Sequence, residues 1–572
     1  MAGEVSLMTG RLVRMQVILS IALGLLVVRL AHLQLVRGAH YRRLAEQNRL
    51  RLVPEPAPRG LLVDRRGRLL ASNQTVFRVA IVPQELEDFP AVLRHVSALT
   101  HRSPDALKRA YRLERSLAFM PATVVSYVPK EVAIRLEETR WQFPGLLVKP
   151  ETVRHYPAGS SAAHLLGYLS QPTAEELPAL KPYGVRPQHL VGRSGLERLL
   201  DQDLRGRAGG LMVEVDHRAR QVRVVGQRVP EAGAPVTLTL DAQLQALIEQ
   251  AFGTQPGGCV VLDPETGEVL AMVSVPAFPP EAFIGAQTLL VRSLLDDPRS
   301  PLMNRATVGV YLPGSILKLV TASAALEARV ITPSTTIVCP GSLTIGDRTF
   351  HCWNLDGHGP LALREALTQS CNVYFMQVGR RLGLKRLRAA LETIGLSRRT
   401  GWPLEEQRGH LPDRPLTEGE VAMLAMGQGE VLITVLQGAV MAAAFANQGW
   451  LVEPWVVRDV AHRPSLRHPS RRRIPWAPET FATVRAGMEA VVRDPDGTGR
   501  RAFSPLVAIA GKTGTAQTHV PGQPHGWFVG FCPADHPRAA MAILAEHGGS
   551  GGDLPAEIAR TICEYVTAPE AL

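Results

Sequence analysis

Ser315 and Lys318 stand three residues apart in YLPGSILKLVTASAALEARV, Tyr311 to Val330, a segment that opens with Pro-Gly and continues rich in alanine and leucine. It predicts a helix with Ser315 in the first turn. Side chains three apart share a helix face, so an amine at 318 reaches a hydroxyl at 315, and the helix amino end favours negative charge developing there. A serine nucleophile with a lysine base requires such a pair. A capping serine beside a solvated lysine writes the same S-x-x-K string, so the motif alone is weak. Its weight comes from scarcity. Only seven of the 63 basic side chains are lysines (Lys108, Lys130, Lys149, Lys181, Lys318, Lys385 and Lys512), and Lys318 alone has a serine three positions before it. Guanidinium does not give up its proton and an amine does, so each lysine in an arginine-rich chain is a candidate for chemistry.

Two further segments supply what the pair lacks. LTQSCNVYFMQVG, Leu367 to Gly379, sets Ser370 and Asn372 on either side of Cys371 between helical stretches. IAGKTGTAQ, Ile509 to Gln517, sets Lys512, Thr513, Gly514 and Thr515 in a strand-like run, where glycine lets a ligand approach the backbone and the two threonines share a face. Each fragment is commonplace, but S-x-x-K, S-x-N and K-T-G in this order over about two hundred residues are the signature of penicillin-binding proteins and serine β-lactamases. The chain resembles a class B penicillin-binding protein over nearly its whole length. Beyond the motifs, the likeness is carried by RGLLVDRRGRLLA, GRSGLERLLDQDLRG, LDPETGEVLAMVS, MGQGEVLITVLQGA at Met426 to Ala439 and HGWFVGFCP at His525 to Pro533. No glycosyltransferase-like module precedes them, which tells against class A.

The resemblance implies an α/β (α+β) transpeptidase domain with a central, mainly antiparallel sheet and helices, preceded by an elongated α+β pedestal and one N-terminal transmembrane helix. It implies D,D-transpeptidation: Ser315 attacks the penultimate D-Ala carbonyl of a peptidoglycan stem peptide, and the acyl-enzyme is resolved by a neighbouring stem's amine. Lys318 is then the general base, made neutral by burial and by a nearby Lys512. Ser370 relays a proton to the departing amine, Asn372 binds a substrate amide, and Lys512 with Thr513, Gly514 and Thr515 seats the terminal carboxylate. The amides of Ser315 and Thr515 form the oxyanion hole, β-lactams act as inhibitors, and a carboxypeptidase side activity accompanies the main one. No cofactor is needed for catalysis.

Positioning these residues falls to a chain of several segments. Met15 to Val36, MQVILSIALGLLVVRLAHLQLV, is about long enough to cross a bilayer, though Arg29, His32 and Gln34 interrupt it and only Val17 to Val28 is uninterrupted. No small-x-small site follows Val28, which favours an uncleaved anchor over a signal peptide. Arg11 and Arg14 precede it while Arg37, Arg42, Arg43, Arg49 and Arg51 follow, the reverse of the positive-inside bias. The chemistry nonetheless needs the outside, so the expectation is a cytoplasmic tail (1–14), an anchor (15–36) in the inner membrane and a periplasmic body. Within that body RGLLVDRRGRLLASN, Arg59 to Asn73, is a hairpin turning at Asp64 to Gly67, and GRSGLERLLDQDLRG, Gly192 to Gly206, a glycine turn entering an amphipathic helix. Residues 37–235 form a non-catalytic pedestal, a dimerisation-like module. The transpeptidase unit (236–572) starts where VTLTLDAQLQALIEQAF passes from strand to helix, and CVVLDPETGEVLAMVSVP, Cys259 to Pro276, is its hairpin with a turn at Asp263 to Gly267.

Cys339, Cys352 and Cys371 surround His358 with twelve, five and twelve intervening residues, a Cys3His set. By spacing alone, one disulfide plus a free thiol ranks above zinc. HCWNLDGHG, His351 to Gly359, resembles elongation-type penicillin-binding protein 2, some members of which carry zinc there, and that likeness implies a structural zinc bracing Ser370 and Asn372. Cys259, Cys532 and Cys563 lie in apolar contexts and fit core positions. The Cys3His segment and NQTVFRVAIVPQEL favour an elongation role over a division-specific one. A β-lactam-sensing acyl-enzyme, a β-lactamase and a catalytically dead scaffold are the other readings. The resemblance also implies a SEDS-family glycan polymerase and rod-shape scaffold proteins as partners.

Composition agrees. With 45% hydrophobic and 20% charged residues, the 572-residue chain is not disordered throughout. The net charge of +11 is spread along the chain, and its clearest cluster, HPSRRR at His468 to Arg473, has the look of a solvated loop, so nucleic acid is not an expected partner.

Overall fold

The computed structural model describes residues 2–115, 119–180, 185, 189–216, 221–284, 288–464, 470–518, 520 and 522–568. The chain packs as two compact units. The first is drawn from Met1–Ala57, Thr75–Val153 and Arg207–Glu231, the second from Pro58–Gln74, Arg154–Gly206 and Ala232–Leu572.

The first unit begins with the helix Ala2–Ala31, which passes into a π-helical turn, His32–Val36, where the polar residues enter the apolar run. Met15–Val36 is the one span among the described residues long and apolar enough to cross a membrane, and none of it is buried within the protein. Leu50–Glu55, Gly209–Val215 and Gln221–Arg228 then form an antiparallel three-stranded sheet. Helices Phe89–Thr100, Pro104–Glu114 and Lys130–Glu138 bury Val92, Val96, Leu107 and Leu136 with Val79, Ile81 and Val125 from paired strands. Helices and strands thus alternate through this region.

In the second unit, Leu62–Val63 pairs antiparallel with the start of Leu69–Ile81, closing the expected hairpin. Asp64 makes the turn: its carboxylate accepts from the backbone N–H groups of Arg66 and Arg68 at 2.9 and 2.8 Å. The segment Gly192–Gly206 departs from expectation. It holds two one-turn helices, Gly195–Leu199 and Asp201–Arg205, rather than one amphipathic helix. Glu197, wholly buried, takes Arg59 at 2.6 Å and Arg154 at 2.7 Å, while Asp201 takes Arg59 at 2.8 Å. Arg59, far away in sequence, thus bonds to both turns, and the backbone breaks between them at Leu200. Arg471–Arg473 is likewise a short strand, paired with Trp450–Val452, rather than a loop. Arg471 and Arg473, alternate residues on one face, cover the Trp450 ring at 4.6 and 5.3 Å. His468 and Pro469 lie outside the described residues.

Of the catalytic candidates, Lys512 to Thr515 lie on a five-stranded antiparallel sheet of β1 (Gly257–Leu262), β2 (Val269–Val275), β3 (Ala510–Ala516), β4 (His525–Cys532) and β5 (Ala539–Ala545), in the order β2-β1-β5-β4-β3. Strand alternation sorts its side chains into two cores. Cys259 and Val261 face the helices α1 (Ala242–Phe252) and α7 (Leu554–Thr567), whereas Val260 and Leu262 face the larger core. The larger core also takes α2 (Lys318–Glu327), α3 (Leu363–Thr368), α4 (Asn372–Leu382), α5 (Val435–Ala446) and α6 (Pro478–Arg493). Every residue of α5 is buried, so its apolarity all round belongs to a core helix. Cys259 is a buried free thiol, but Cys532 and Cys563 are paired in a disulfide joining β4 to α7, a bond their apolar surroundings did not announce.

Candidate active site

Ser315 lies in a single 3-10 turn, Gly314–Leu317, that runs directly into α2, so it stands at the amino end of that helix as its sequence predicts. The turn is pressed in from two sides. Gly314 N–H donates to the Gly427 carbonyl at 2.9 Å, and a Cβ on Gly427 would sit 1.9 Å from the Gly314 carbonyl oxygen. On the other side is β3, where a Cβ on Gly514 would come within 3.0 Å of the Pro313 carbonyl oxygen. A side chain at Gly427 displaces the nucleophile turn, and one at Gly514 presses against it. Ser315 itself is half-buried, open to a ligand.

Lys318 is fully buried beneath the turn. Its Nζ donates to the carbonyl of Ser370 at 2.7 Å, to Oδ1 of Asn372 at 2.7 Å and to Oγ of Ser370 at 3.2 Å. A neutral amine has two N–H bonds and a lone pair, so the two shorter contacts can be kept while the lone pair serves a hydroxyl. Burial lowers the Lys318 pKa to about 8, against the thiols of Cys371 and Cys352, which raise it. Lys512, also fully buried, is lowered well below the ordinary lysine range, first by burial and then by Lys318. The two buried amines are near enough that charge on one disfavours charge on the other. Ser370 follows α3 with a left-handed backbone, φ 53°, a conformation costly to a non-glycine residue and held here by its carbonyl's bond to Lys318.

Strand β3 is an edge of the sheet, paired among the described residues with strand β4 alone. Gln428 Nε2 donates to the Thr515 carbonyl at 3.3 Å, which places that carbonyl on the open side. The N–H and C=O of one antiparallel strand residue point the same way, so the Thr515 N–H faces the nucleophile turn as an oxyanion donor requires. An extended peptide laid beside β3 finds the remaining free backbone groups. Gln428 carries no recognisable signal beyond its place in MGQGEVLITVLQGA. Lys512 Nζ donates to the Thr513 carbonyl at 2.9 Å, and Thr513 Oγ1 lies 2.6 Å from Thr498 Oγ1, another residue the sequence does not mark.

Cys339, Cys352, His358 and Cys371 converge, their donor atoms all within 4.8 Å of one another. Nδ1 of His358 is 3.5 Å from Cys339 Sγ and 3.6 Å from Cys352 Sγ. Ligands about 2.3 Å from a tetrahedral metal are about 3.8 Å apart, so the cluster fits a four-coordinate ion. The cluster also caps α4. Asn372 N–H donates to Cys352 Sγ and Tyr374 N–H to Cys371 Sγ, each at 3.4 Å, which satisfies amides left free at a helix amino end. The Cys371 thiol and backbone amides at Asn372, Val373 and Asn354 hold the Cys352 thiol far below its ordinary pKa, while Cys371 is pushed up as its partner. A thiolate is the metal-binding form. The cluster and the S-x-N residues therefore share one helix end.

Residues 257–564 match the family model described as "Penicillin binding protein transpeptidase domain", and residues 54–238 match "Penicillin-binding Protein dimerisation domain". The peptidoglycan D,D-transpeptidase MrdA of Haemophilus influenzae is 31% identical over 583 residues, covering 95% of this chain and 89% of its own. The penicillin-binding protein PBP2 in a complex with MreC from Helicobacter pylori superposes with a TM-score of 0.79 at 27% identity, covering 90% of this chain and 99% of that one. A chain from a peptidoglycan synthase complex that coordinates polymerization and crosslinking gives 0.73 at 30% identity, covering 97% and 98%.

Proposed function

The chain belongs to the penicillin-binding protein transpeptidases, and from that premise we propose how its own residues carry the reaction. It is an elongation-type peptidoglycan D,D-transpeptidase. The observation that carries the residue assignment is the convergence of Lys318 with Ser370 and Asn372 directly beneath the turn of Ser315 and beside the edge strand Lys512–Thr515.

Neutral Lys318 takes the Ser315 proton as Oγ attacks the penultimate D-Ala carbonyl. The oxyanion forms against the N–H groups of Ser315 and Thr515, each worth about 3–4 kcal/mol in other acyl-transfer enzymes. The C–N bond breaks, and the proton passes from Lys318 through the Ser370 hydroxyl to the departing D-Ala amine, a path given by the 3.2 Å contact. Asn372, with Oδ1 committed to Lys318, has its Nδ2 left to donate to a substrate carbonyl. Lys512, Thr513, Gly514 and Thr515 seat the terminal carboxylate, whose charge restores the proton that burial removes from Lys512. A second stem's amine attacks the acyl-enzyme by the same path reversed. Depleting the protein in its own bacterium should yield swollen, rounded cells; smooth filaments would overturn the elongation role in favour of the division-specific one.

Met15–Val36 is the single-pass membrane anchor. We place residues 1–14 in the cytoplasm, 37–235 as a pedestal and 236–572 as the catalytic domain on the periplasmic side, where stem peptides are. The two family matches, 54–238 and 257–564, support the division of the chain at 235. Partners in this reading are a rod-shape scaffold protein and a glycan-strand polymerase, supported by the similarity to a PBP2 seen with MreC and to a chain of a peptidoglycan synthase complex.

The metal of the Cys3His cluster is zinc in this reading, a brace that carries no chemistry. Through Cys352 and Cys371 it would hold the start of α4, and with it Ser370 and Asn372, against Lys318. Protein purified without chelator should carry about one zinc per chain. Removing the metal should lower the thermal midpoint by about 5 °C or more and slow acylation by a penicillin. Zinc-free protein with these cysteines joined in a disulfide would overturn the assignment.

A further inference from the structure

Thr498 sits in the turn after α6 with glycines on both sides. A Cβ on Gly497 would meet the Val491 carbonyl oxygen at 2.3 Å, and one on Gly499 would meet Val491 at 3.1 Å and Thr513 Cγ2 at 3.5 Å. The turn is therefore folded tightly back on the end of α6 and lies in van der Waals contact with β3. Thr498 N–H donates to the carbonyl of Thr368 at 3.2 Å, two residues before Ser370, and its Oγ1 lies 2.6 Å from Oγ1 of Thr513. One residue, by its backbone N–H and its hydroxyl, thus links the S-x-N segment to the K-T-G strand.

A hydroxyl carries one proton and two lone pairs, so two hydroxyls at this distance share one proton and leave the other free. If Thr498 gives its proton to the Thr368 carbonyl, 3.5 Å away, then Thr513 must give its own to Thr498 and has nothing for a ligand. That outer contact is at the limit of a hydrogen bond. A carboxylate only accepts, so when it arrives it draws the Thr513 proton outward, which requires Thr498 to donate inward. The resulting chain, Thr498 to Thr513 to carboxylate, polarises each bond in turn. We infer that Thr498 is a positioning residue for substrate recognition: its hydroxyl donates to Thr513 and turns the Thr513 proton onto the terminal carboxylate of the stem peptide. The inference rests on reading Lys512 to Thr515 as the carboxylate seat.

The test uses two thioester acyl donors that mimic the D-alanyl-D-alanine end, one with a free terminal carboxylate and one with that group as its methyl ester, on the full-length protein. The ratio of their kcat/KM values does not depend on how much of a preparation is folded. Thr498→Val should lower the ratio about tenfold, the scale of a charge-assisted hydrogen bond. Thr498→Ser should restore it, and in a Thr513→Val background Thr498→Val should change it no further. Thr498→Ala reads the same ratio if valine leaves too little activity. If Thr513→Val lowers the ratio while Thr498→Val leaves it unchanged, the role of Thr498 is overturned and the seat stands. If Thr513→Val leaves it unchanged, the seat itself is wrong and the inference falls with it.

Discussion

Exchange of Ser315 for alanine leaves the folded protein without a covalent adduct after incubation with a fluorescent penicillin. Loss of a nucleophile that acts as one unit with its base removes nearly all the covalent path, so acylation should fall by at least about 10^4-fold. Folding should be untouched. Ser315 is half-buried in a turn held by backbone contacts from Gly427 and β3, none of which involves its hydroxyl, so the thermal midpoint should stay within about 2 °C. An adduct forming at the native rate on Ser315→Ala would remove Ser315 from the mechanism. The native adduct's lifetime carries separate information. Persistence over hours agrees with an enzyme that waits for an amine, and loss within seconds would mean that water resolves the acyl-enzyme as in a β-lactamase.

What could be read in the sequence was what local spacing dictates. Ser315 and Lys318 share a helix because three residues is nearly a turn, Asp64 to Gly67 and Asp263 to Gly267 close hairpins because aspartate and glycine satisfy tight turns, and Lys512 to Thr515 lie on a strand because their run alternates. The Cys3His cluster needed the family resemblance, since intervals of twelve, five and twelve residues do not by themselves separate a metal site from a disulfide. The contacts that went unread are those whose partners lie far apart in the chain. Glu197 meets Arg59 across 138 residues, and the same guanidinium takes Asp201 of the following turn. Gln428 meets Thr515 across 87, and Cys532 meets Cys563 in surroundings apolar enough to suit unpaired thiols. Arg471 to Arg473 shows the same limit on a smaller scale: three arginines form a strand because Trp450 offers a ring to cover and a backbone to pair with.

Lys318→Arg should lower acylation by about 10^3-fold, within the range general-base catalysis supplies, although charge is retained and the side chain stays long. Arginine does not give up a proton near neutral pH, so it can neither accept that of Ser315 nor pass one to Ser370. The pH dependence separates this account from a steric one. With the Lys318 pKa brought down to about 8, the amine is charged below that value and neutral above it. Acylation of the native protein should therefore rise about tenfold per pH unit up to pH about 8 and level off beyond, the opposite limb from one in which the charged amine is the active form. An ordinary lysine would place the same bend near pH 10.5. In Lys318→Arg the residual rate should lose the bend, because the group that titrates is gone. If the bend persists in the arginine variant, the titrating group is elsewhere, and Lys512, whose pKa burial and Lys318 also lower, becomes the candidate. A bend that disappears together with the rate leaves Lys318 as the base, since both follow from one proton on one buried nitrogen.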